Sequence, residues 1–350
     1  MAGCTNLIVV PPATKDKGVY ALWNLDIFRI SKLFLPFLKF YVVKTKPYNY
    51  LALGFPGIGG LGILNEKGVV GVFNAVGLTD SGNNGENILQ FNNKIMRTCA
   101  NVEEVIETFE NTKRYCVPGK AIAIFLNLNS MWCDPSGDAV TIEYSYNHFI
   151  AKKVDSSGIM VSTNHHQYLD PHLTGSSIPS TQHAIAGSYA RLGRGWELAK
   201  KLANNGKFDL ETIKTFASDH GLNYDLLRET HFEIPNPELG LRVDDATICC
   251  HCFNVPKYFQ TGQLFNAVSC ALEGETLQSF IIDPKNMKLH ICKGKPCLNP
   301  YQTYDALEAF KKAKSSKIKD SNRTTKLLSS NFLMRWIYRV VNGLEKLIPI

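Results

Sequence analysis

Residues 3–26 read GCTNLIVVPPATKDKGVYALWNLD. Two apolar runs, LIVV at 7–10 and VYALW at 19–23, flank PPATKDKG, an octet of turn-forming residues, and the pattern predicts a β-hairpin. With the turn centred on residue 15, Cys4 and Asp26 are equidistant from it, so they are expected to face each other across the ladder. A thiol beside a carboxylate near a chain start has a specific chemical use. If the chain begins at that cysteine, its freed α-amine, with an ordinary pKa of about 7.7–8.0, acts as the local base for its own thiol. The alternative on the residues alone is a surface cysteine near a loose start.

Outward from the hairpin, a second run of short strands is expected over 39–76 (FYVVKT, YLAL, GILN and VVGVFNAV), with Asn65-Glu66-Lys67-Gly68 as the turn between the last two. Helices follow near 86–98 and 101–113, the second capped by Asn101 with Glu104 three residues on. Strands are expected at 121–126, 139–145, 147–153 and 159–163. Residues 183–204 form a helix with Leu192, Trp196, Ala199 and Leu202 on one stripe, and another helix over 209–219 is capped by Asp209. Strands return at 246–253, 265–272, 277–283 and 287–292. Strands at both ends with helices grouped between them indicate an α+β fold, with two mainly antiparallel sheets sandwiched between helical layers.

The chain has 350 residues, 45% hydrophobic and 20% charged, a globular composition. Its net charge of +7 would suggest a nucleic-acid partner if it were spread over the fold. Residues 311–326 hold seven Lys/Arg against one Asp, and 331–350 add three basic residues against Glu345, so the first 310 residues are close to neutral. No nucleic acid is therefore expected as a partner. No apolar stretch reaches about 18 residues, which argues against a spanning helix. Ten cysteines at irregular spacing, with no secretory pattern at the start, imply reduced thiols and a cytoplasmic setting.

Three motifs suggest other chemistry and fail on context. The run GFPGIGGLG at 54–62 leads into a strand and turn instead of the helix a dinucleotide site needs, so close backbone packing explains it better. Cys249-Cys250-His251-Cys252 lies in a strand-like stretch, where alternate side chains point to opposite faces and cannot enclose one tetrahedral ion. The pair His165-His166 meets the same objection.

Gly3-Cys4-Thr5, followed by the turn and Trp23-Asn24-Leu25-Asp26, resembles the opening of N-terminal-nucleophile hydrolases, in particular the 6-aminopenicillanate acyltransferase-like family and, more distantly, choloylglycine hydrolases. Asn65-Glu66-Lys67-Gly68 with Gly71-Val72-Phe73-Asn74, then Val161-Ser162-Thr163-Asn164-His165, then Ser188-Tyr189-Ala190-Arg191, resemble further family motifs in the family's order. The closing hairpin from Ile281 to Cys297 has the family's shape, so the similarity spans roughly 3–300.

The resemblance implies a four-layer αββα sandwich and a set of roles. Cys4 attacks an amide or thioester carbonyl, its α-amine relays the proton, and Asp26 holds that amine. Asn74 donates to the oxyanion, Asn164 positions the amine or the tetrahedral intermediate, and Arg191 lowers the thiol pKa. The implied substrate is a small acyl amide or acyl thioester, and no metal or organic cofactor is called for. Only Met1-Ala2-Gly3 precede the cysteine, so either a short leader, 1–3, is removed by self-cleavage or an upstream portion lies outside this sequence. Bile-salt hydrolases carry an arginine where this chain has Trp23, which argues against a bile-salt substrate.

The expected organisation is a catalytic domain over 4–310, a basic linker over 311–330 and an amphipathic helix over 331–350. Leu333, Ile337, Val340, Leu344 and Leu347 share one helical face, so residues 311–350 are expected to touch an anionic membrane surface peripherally or to dock on protein. The apolar stretch 27–43 follows Asp26 directly and is expected to shape substrate choice or to be a buried connection. Two rivals remain open: a non-catalytic member of the same fold that binds a partner or membrane, and a structural acyl-lipid carrier.

Overall fold

Strands β1 (Thr5–Val9) and β2 (Tyr20–Phe28) form the expected hairpin in a computed structural model of the chain. It describes residues 4–28, 35–55, 59–82, 84–116, 127–174, 182–221, 247–250 and 274–315. The register differs from expectation by one residue. Thr5 pairs with Asn24 and Asn6 with Trp23, which carries Leu25, not Asp26, to the position opposite Cys4. One residue matters here because successive side chains in a strand point to opposite faces.

The hairpin is central in its sheet. β1 lies between β2 and β10 (Ile159–Ser162), and β2 pairs on its other edge with β11 (Gly274–Asp283), followed outward by β12 (Lys288–Lys293) and β13 (Tyr301–Asp305). All these pairs are antiparallel. The second sheet is a meander in chain order: β3 (Lys39–Val43), β4 (Tyr50–Phe55), β5 (Gly59–Asn65), β6 (Val70–Ala75), β7 (Leu128–Cys133), β8 (Ala139–Tyr144) and β9 (Phe149–Lys153).

Both faces of the first sheet are covered, which is why residues 7–10 read as an unbroken apolar run. Ile8, Ala21, Trp23 and Leu25 pack toward the second sheet against Val72, Phe73 and Trp132. Leu7, Val9 and Leu22 face α4 (Gln182–Asn204) and α5 (Leu210–Ala217), meeting Leu192, Ala199, Ile213 and Phe216. The outer face of the second sheet carries α1 (Ile88–Thr98) and α2 (Val102–Glu110), which bury Phe91, Ile95, Met96, Val105 and Phe109. The result is the four-layer αββα sandwich that the resemblance implies. A one-turn α3 (Pro171–Thr174) follows β10. Among the described residues no helix is long and apolar enough to cross a membrane.

Local chemistry explains the elements. Asn87 caps α1 by accepting from the backbone of Leu89 and Gln90 while the Gln90 side chain accepts from Asn87 N–H, and Asn101 and Asp209 cap α2 and α5. The glycine run serves close packing: a Cβ on Gly62 would stand 2.6 Å from Met96, and Asn92 of α1 clasps the Gly62 backbone from both sides. Fully buried Asn65 closes its turn with four bonds, donating to the carbonyls of Met96 and Cys99 and accepting from the N–H groups of Lys67 and Val69.

His165 and His166 are structural. His165 Nδ1 lies 2.8 Å from Ser188 Oγ with its ring stacked on Tyr189, and His166 Nδ1 lies 2.8 Å from Thr174 Oγ1. Burial pushes both imidazoles down to about 3, with Arg191 adding to the effect at His165, so both are neutral. The loop they begin is held by buried Glu143, which accepts from the backbone N–H groups of Gln167, Tyr168 and Leu169 at 2.7–2.9 Å.

Strands β7 and β13 were not expected. The helix α6 (Ala306–Ser315) buries Phe310 and Ala313, so the first five residues of the expected linker are helical. The expected leader at 1–3, the strands at 121–126 and 265–272, most of 246–253, and the tail from 316 onward fall outside the described residues.

Two outcomes follow. Asn65→Ala leaves two buried carbonyls and two backbone donors unmatched and is expected to lower unfolding free energy by about 3 kcal/mol, read as a fall in urea midpoint at constant slope. The depressed histidines make stability that is present above the ordinary His pKa and is lost as pH falls from there toward about 3. Each adds a slope of about 1.4 kcal/mol per pH unit in that window, so His166→Asn should flatten the pH dependence of the urea midpoint between about pH 6 and pH 5.

Candidate active site

Cys4 stands immediately before β1 and is buried at the inter-sheet face. Its backbone N–H donates to Asn164 Oδ1 at 2.6 Å. Arg191 grips the same residue from the other end, donating from Nη1 to the Cys4 carbonyl at 2.7 Å and to Thr5 Oγ1 at 3.3 Å. Its Nη2 donates to Asn164 Oδ1 at 3.1 Å, so one amide oxygen receives both the cysteine nitrogen and the guanidinium.

Neighbouring elements hold these groups in place. Asn164 follows β10, its N–H donating to Ser188 Oγ at 2.8 Å and its Nδ2 to the Ala75 carbonyl at 2.8 Å. Ser188 and Arg191 are three residues apart on α4 and therefore share a face. A single helix turn thus orients both Asn164 and Cys4.

Asp26 is brought near Cys4, but its carboxylate has other partners. It accepts from Thr276 Oγ1 at 2.6 Å and from Cys250 Sγ at 3.4 Å, and Thr276 lies directly opposite it in the β2–β11 ladder. The Cys250 N–H donates to Thr276 Oγ1 at 2.9 Å, which closes the cluster. The Cys4 thiol is 4.0 Å from the Asp26 backbone carbonyl.

The thiol is pushed up to about 11, first by burial and then by the negative charge of Asp26. Arg191 pulls in the opposite direction but is outweighed. With its nitrogen in a peptide bond, the Cys4 sulfur is a protonated, weakly reactive thiol near neutral pH.

Asn74 is placed deeper between the sheets. Its Nδ2 donates to Ser162 Oγ at 2.9 Å and, with the Asn6 amide in its hydrogen-bonding orientation, to Asn6 at 3.1 Å. Among the described residues it makes no hydrogen bond to Cys4, Asp26, Asn164 or Arg191. Trp23 lies beside the cysteine, edge-on to Phe73 at 5.9 Å and tilted against Phe280 at 5.7 Å.

A cavity of about 1220 Å³ opens between the β3–β4 edge and β11–β12. Leu35, Leu38, Leu277, Leu289 and Ile291 give it apolar walls, and Lys39, Lys293 and Lys312 stand around it. Thr276, the Asp26 partner, is in its wall, whereas Cys4 is not. The sequence assigned no role at the site to Thr276, Cys250 or Ser188, although Ser188 lies in the family motif before Arg191. Thr276 and Cys250 are signalled only by being polar or thiol-bearing in apolar surroundings, and their partner Asp26 is up to 250 residues away.

No curated protein matches the chain in sequence. Among solved structures it resembles penicillin V acylase from Agrobacterium tumefaciens, at 13% identity and a TM-score of 0.47 over 87% of each chain. It also resembles the C2A mutant of conjugated bile acid hydrolase from Clostridium perfringens, at 13% identity and a TM-score of 0.38 over 86% of this chain and 96% of that one. The family model for acyl-coenzyme A:6-aminopenicillanic acid acyl-transferase matches residues 35–233, a span that holds Asn74, Asn164 and Arg191 and stops short of Cys4 and Asp26. With more than half of its length matched, the chain belongs to the acyl-coenzyme A:6-aminopenicillanic acid acyl-transferase family.

Proposed function

We propose that the protein is a cysteine N-terminal-nucleophile enzyme that cleaves a small acyl amide, or transfers the acyl group of such an amide or of a thioester, through an acyl-Cys4 intermediate. The observation that carries this reading is the pair of bonds on Cys4: its nitrogen to Asn164 Oδ1 and its carbonyl to Arg191. A merely structural first residue needs no buried arginine and asparagine converging on its backbone.

In this reading maturation comes first. The Cys4 sulfur attacks the Gly3 carbonyl, the Gly3–Cys4 C–N bond breaks as the nitrogen takes up a proton, and water hydrolyses the resulting thioester. The liberated amine keeps its bond to Asn164 Oδ1, which directs the nitrogen lone pair. A thiol near 11 needs a base, and an α-amine with an ordinary pKa of about 7.7–8.0 is that base. The Asp26 charge that resists ionisation of the thiol favours the ammonium once the proton has moved.

Acyl transfer then follows with no further group. The thiolate adds to the substrate carbonyl, the ammonium returns its proton to the leaving nitrogen or sulfur, and water or an acceptor amine releases the acyl group. Arg191 is a positioning residue here, since it fixes the Cys4 carbonyl and thereby the Cα–Cβ direction. Asn74 donates to the oxyanion only if its bond to Ser162 opens. The apolar walls of the cavity suit an acyl chain.

Intact-mass analysis tests the first step: the purified protein should begin at Cys4, and Cys4→Ala should retain the preceding residues. Wild-type protein that keeps them and still turns over amides would refute the mechanism. Cys4→Ser should lower turnover by at least about 10²-fold with the fold intact. At pH 7.5 iodoacetamide should label Cys4 slowly in chains that retain Gly3 and faster in mature chains, and Arg191→Ala should slow the mature reaction. Labelling at equal rates in both forms would favour a non-catalytic member of the fold.

For the cavity, Leu35→Ser with Leu38→Ser should raise KM for long acyl chains more than for short ones. An equal rise for all lengths would assign these residues to packing.

A further inference from the structure

Within Cys249-Cys250-His251-Cys252 the strand-like alternation keeps neighbouring side chains apart. In the fold, Cys249 has different companions. Its sulfur lies 3.6 Å from that of Cys297, and a ring nitrogen of His220 joins them, with all three potential ligand atoms within 4.8 Å of one another. We propose that His220, Cys249 and Cys297 form a zinc site that staples three segments of the fold together, separately from the acyl chemistry at Cys4.

The spacing fits a shared ion. Two Zn–S bonds of about 2.3 Å at a tetrahedral angle put their sulfurs about 3.8 Å apart, close to the separation here. A disulfide would require about 2.05 Å. Two thiolates and an imidazole are a soft donor set that selects zinc over magnesium or calcium, and a Cys₂His set is a known way of holding zinc with one position left for an oxygen ligand. His220 is exposed and Cys297 half-buried, so the ion has a path from solvent, while Cys249 anchors the inner side.

The ligands are held before any ion arrives. His220 follows α5 between Asp219 and Gly221. Arg194 fixes Asp219 with a two-pronged contact at 2.8 and 2.7 Å, and Asp219 Oδ2 also accepts from Gly221 N–H at 2.9 Å. The Asp219 carbonyl accepts from Cys249 N–H at 3.0 Å, which ties the histidine and cysteine backbones together. Cys297 lies in the β12–β13 connection, where Leu298 and Asn299 N–H both donate to the Lys295 carbonyl. Binding replaces two S–H bonds by two Zn–S bonds and releases two protons to solvent.

The staple has a consequence next door. Cys250, adjacent to a ligand, donates its thiol to Asp26, so the ion would fix the segment behind the candidate nucleophile.

The test uses the full chain, kept reduced and exhaustively dialysed. Elemental analysis should find about one zinc per chain. After zinc is removed, titration with cobalt(II) should give the near-ultraviolet sulfur-to-cobalt band with tetrahedral visible bands. Cys249→Ser and Cys297→Ser should each lose the metal, and His220→Ala should bind cobalt at least tenfold more weakly and with altered visible bands. If the cysteine variants do not fold, the cobalt spectrum of wild-type protein and of the variant at exposed His220 carries the test. Reduced wild-type protein without zinc and without a sulfur–cobalt band overturns the proposal. So does a Cys249–Cys297 disulfide in non-reducing peptide mapping, or metal retained after both cysteines are replaced.

Discussion

A buried guanidinium holding the carbonyl of Cys4 is the contact around which the candidate active site is organised. Arg191 reaches it only because α4 lies flat on the outer face of the first sheet, with Leu192 and Ala199 packed on Leu7, Val9 and Leu22. The same helix turn supplies Ser188 to Asn164, which in turn reaches the Cys4 nitrogen and the second sheet. Cys4, just before β1, is thereby tied to α4 and to both sheets. Helix packing, sheet order and the candidate nucleophile are linked through a few hydrogen bonds, those of Arg191 being charge-assisted.

Burial shapes reactivity as well as stability here. A solvated cysteine would have an ordinary thiol, but at the inter-sheet face its ionised form loses its water and meets the charge of Asp26. Such a sulfur is inert to most electrophiles until a base is presented to it at close range. Asp26 itself is buried, with Thr276 and Cys250 donating to its carboxylate.

The hairpin, the caps at Asn101 and Asp209, and the α4 stripe were legible in the sequence because each is local: turn residues, a capping side chain, a repeat of 3.6. The four layers followed from the order of elements and from family resemblance. The error of one residue in the β1–β2 register has a physical source. The octet between the strands fixes a loop length only to within one residue, and the pairing is decided by which faces can be buried, a matter of the whole sheet. Strand β7 was missed because LNSMWC lacks the polar–apolar alternation of a strand, and its burial depends on α2 and β1 together. Thr276, Cys250 and the Cys249–Cys297 approach are long-range, and no local pattern in the sequence carries them.

The order of strands has a bearing on how the chain is made. The second sheet is a meander spanning 39–153 in which strands adjacent in the chain are adjacent in the sheet, so it can assemble as it leaves the ribosome. The first sheet cannot. β1 waits for β10 at 159–162, and β2 waits for β11 at 274–283, which at about 5–20 residues per second is a delay of tens of seconds or less. During that interval the β1–β2 hairpin has an unpaired edge on each strand, the kind of edge that pairs with other nascent chains. The hairpin at the centre of the first sheet is thus synthesised well before the strands that flank it, and a chaperone occupying β1 would act on the yield of the whole fold.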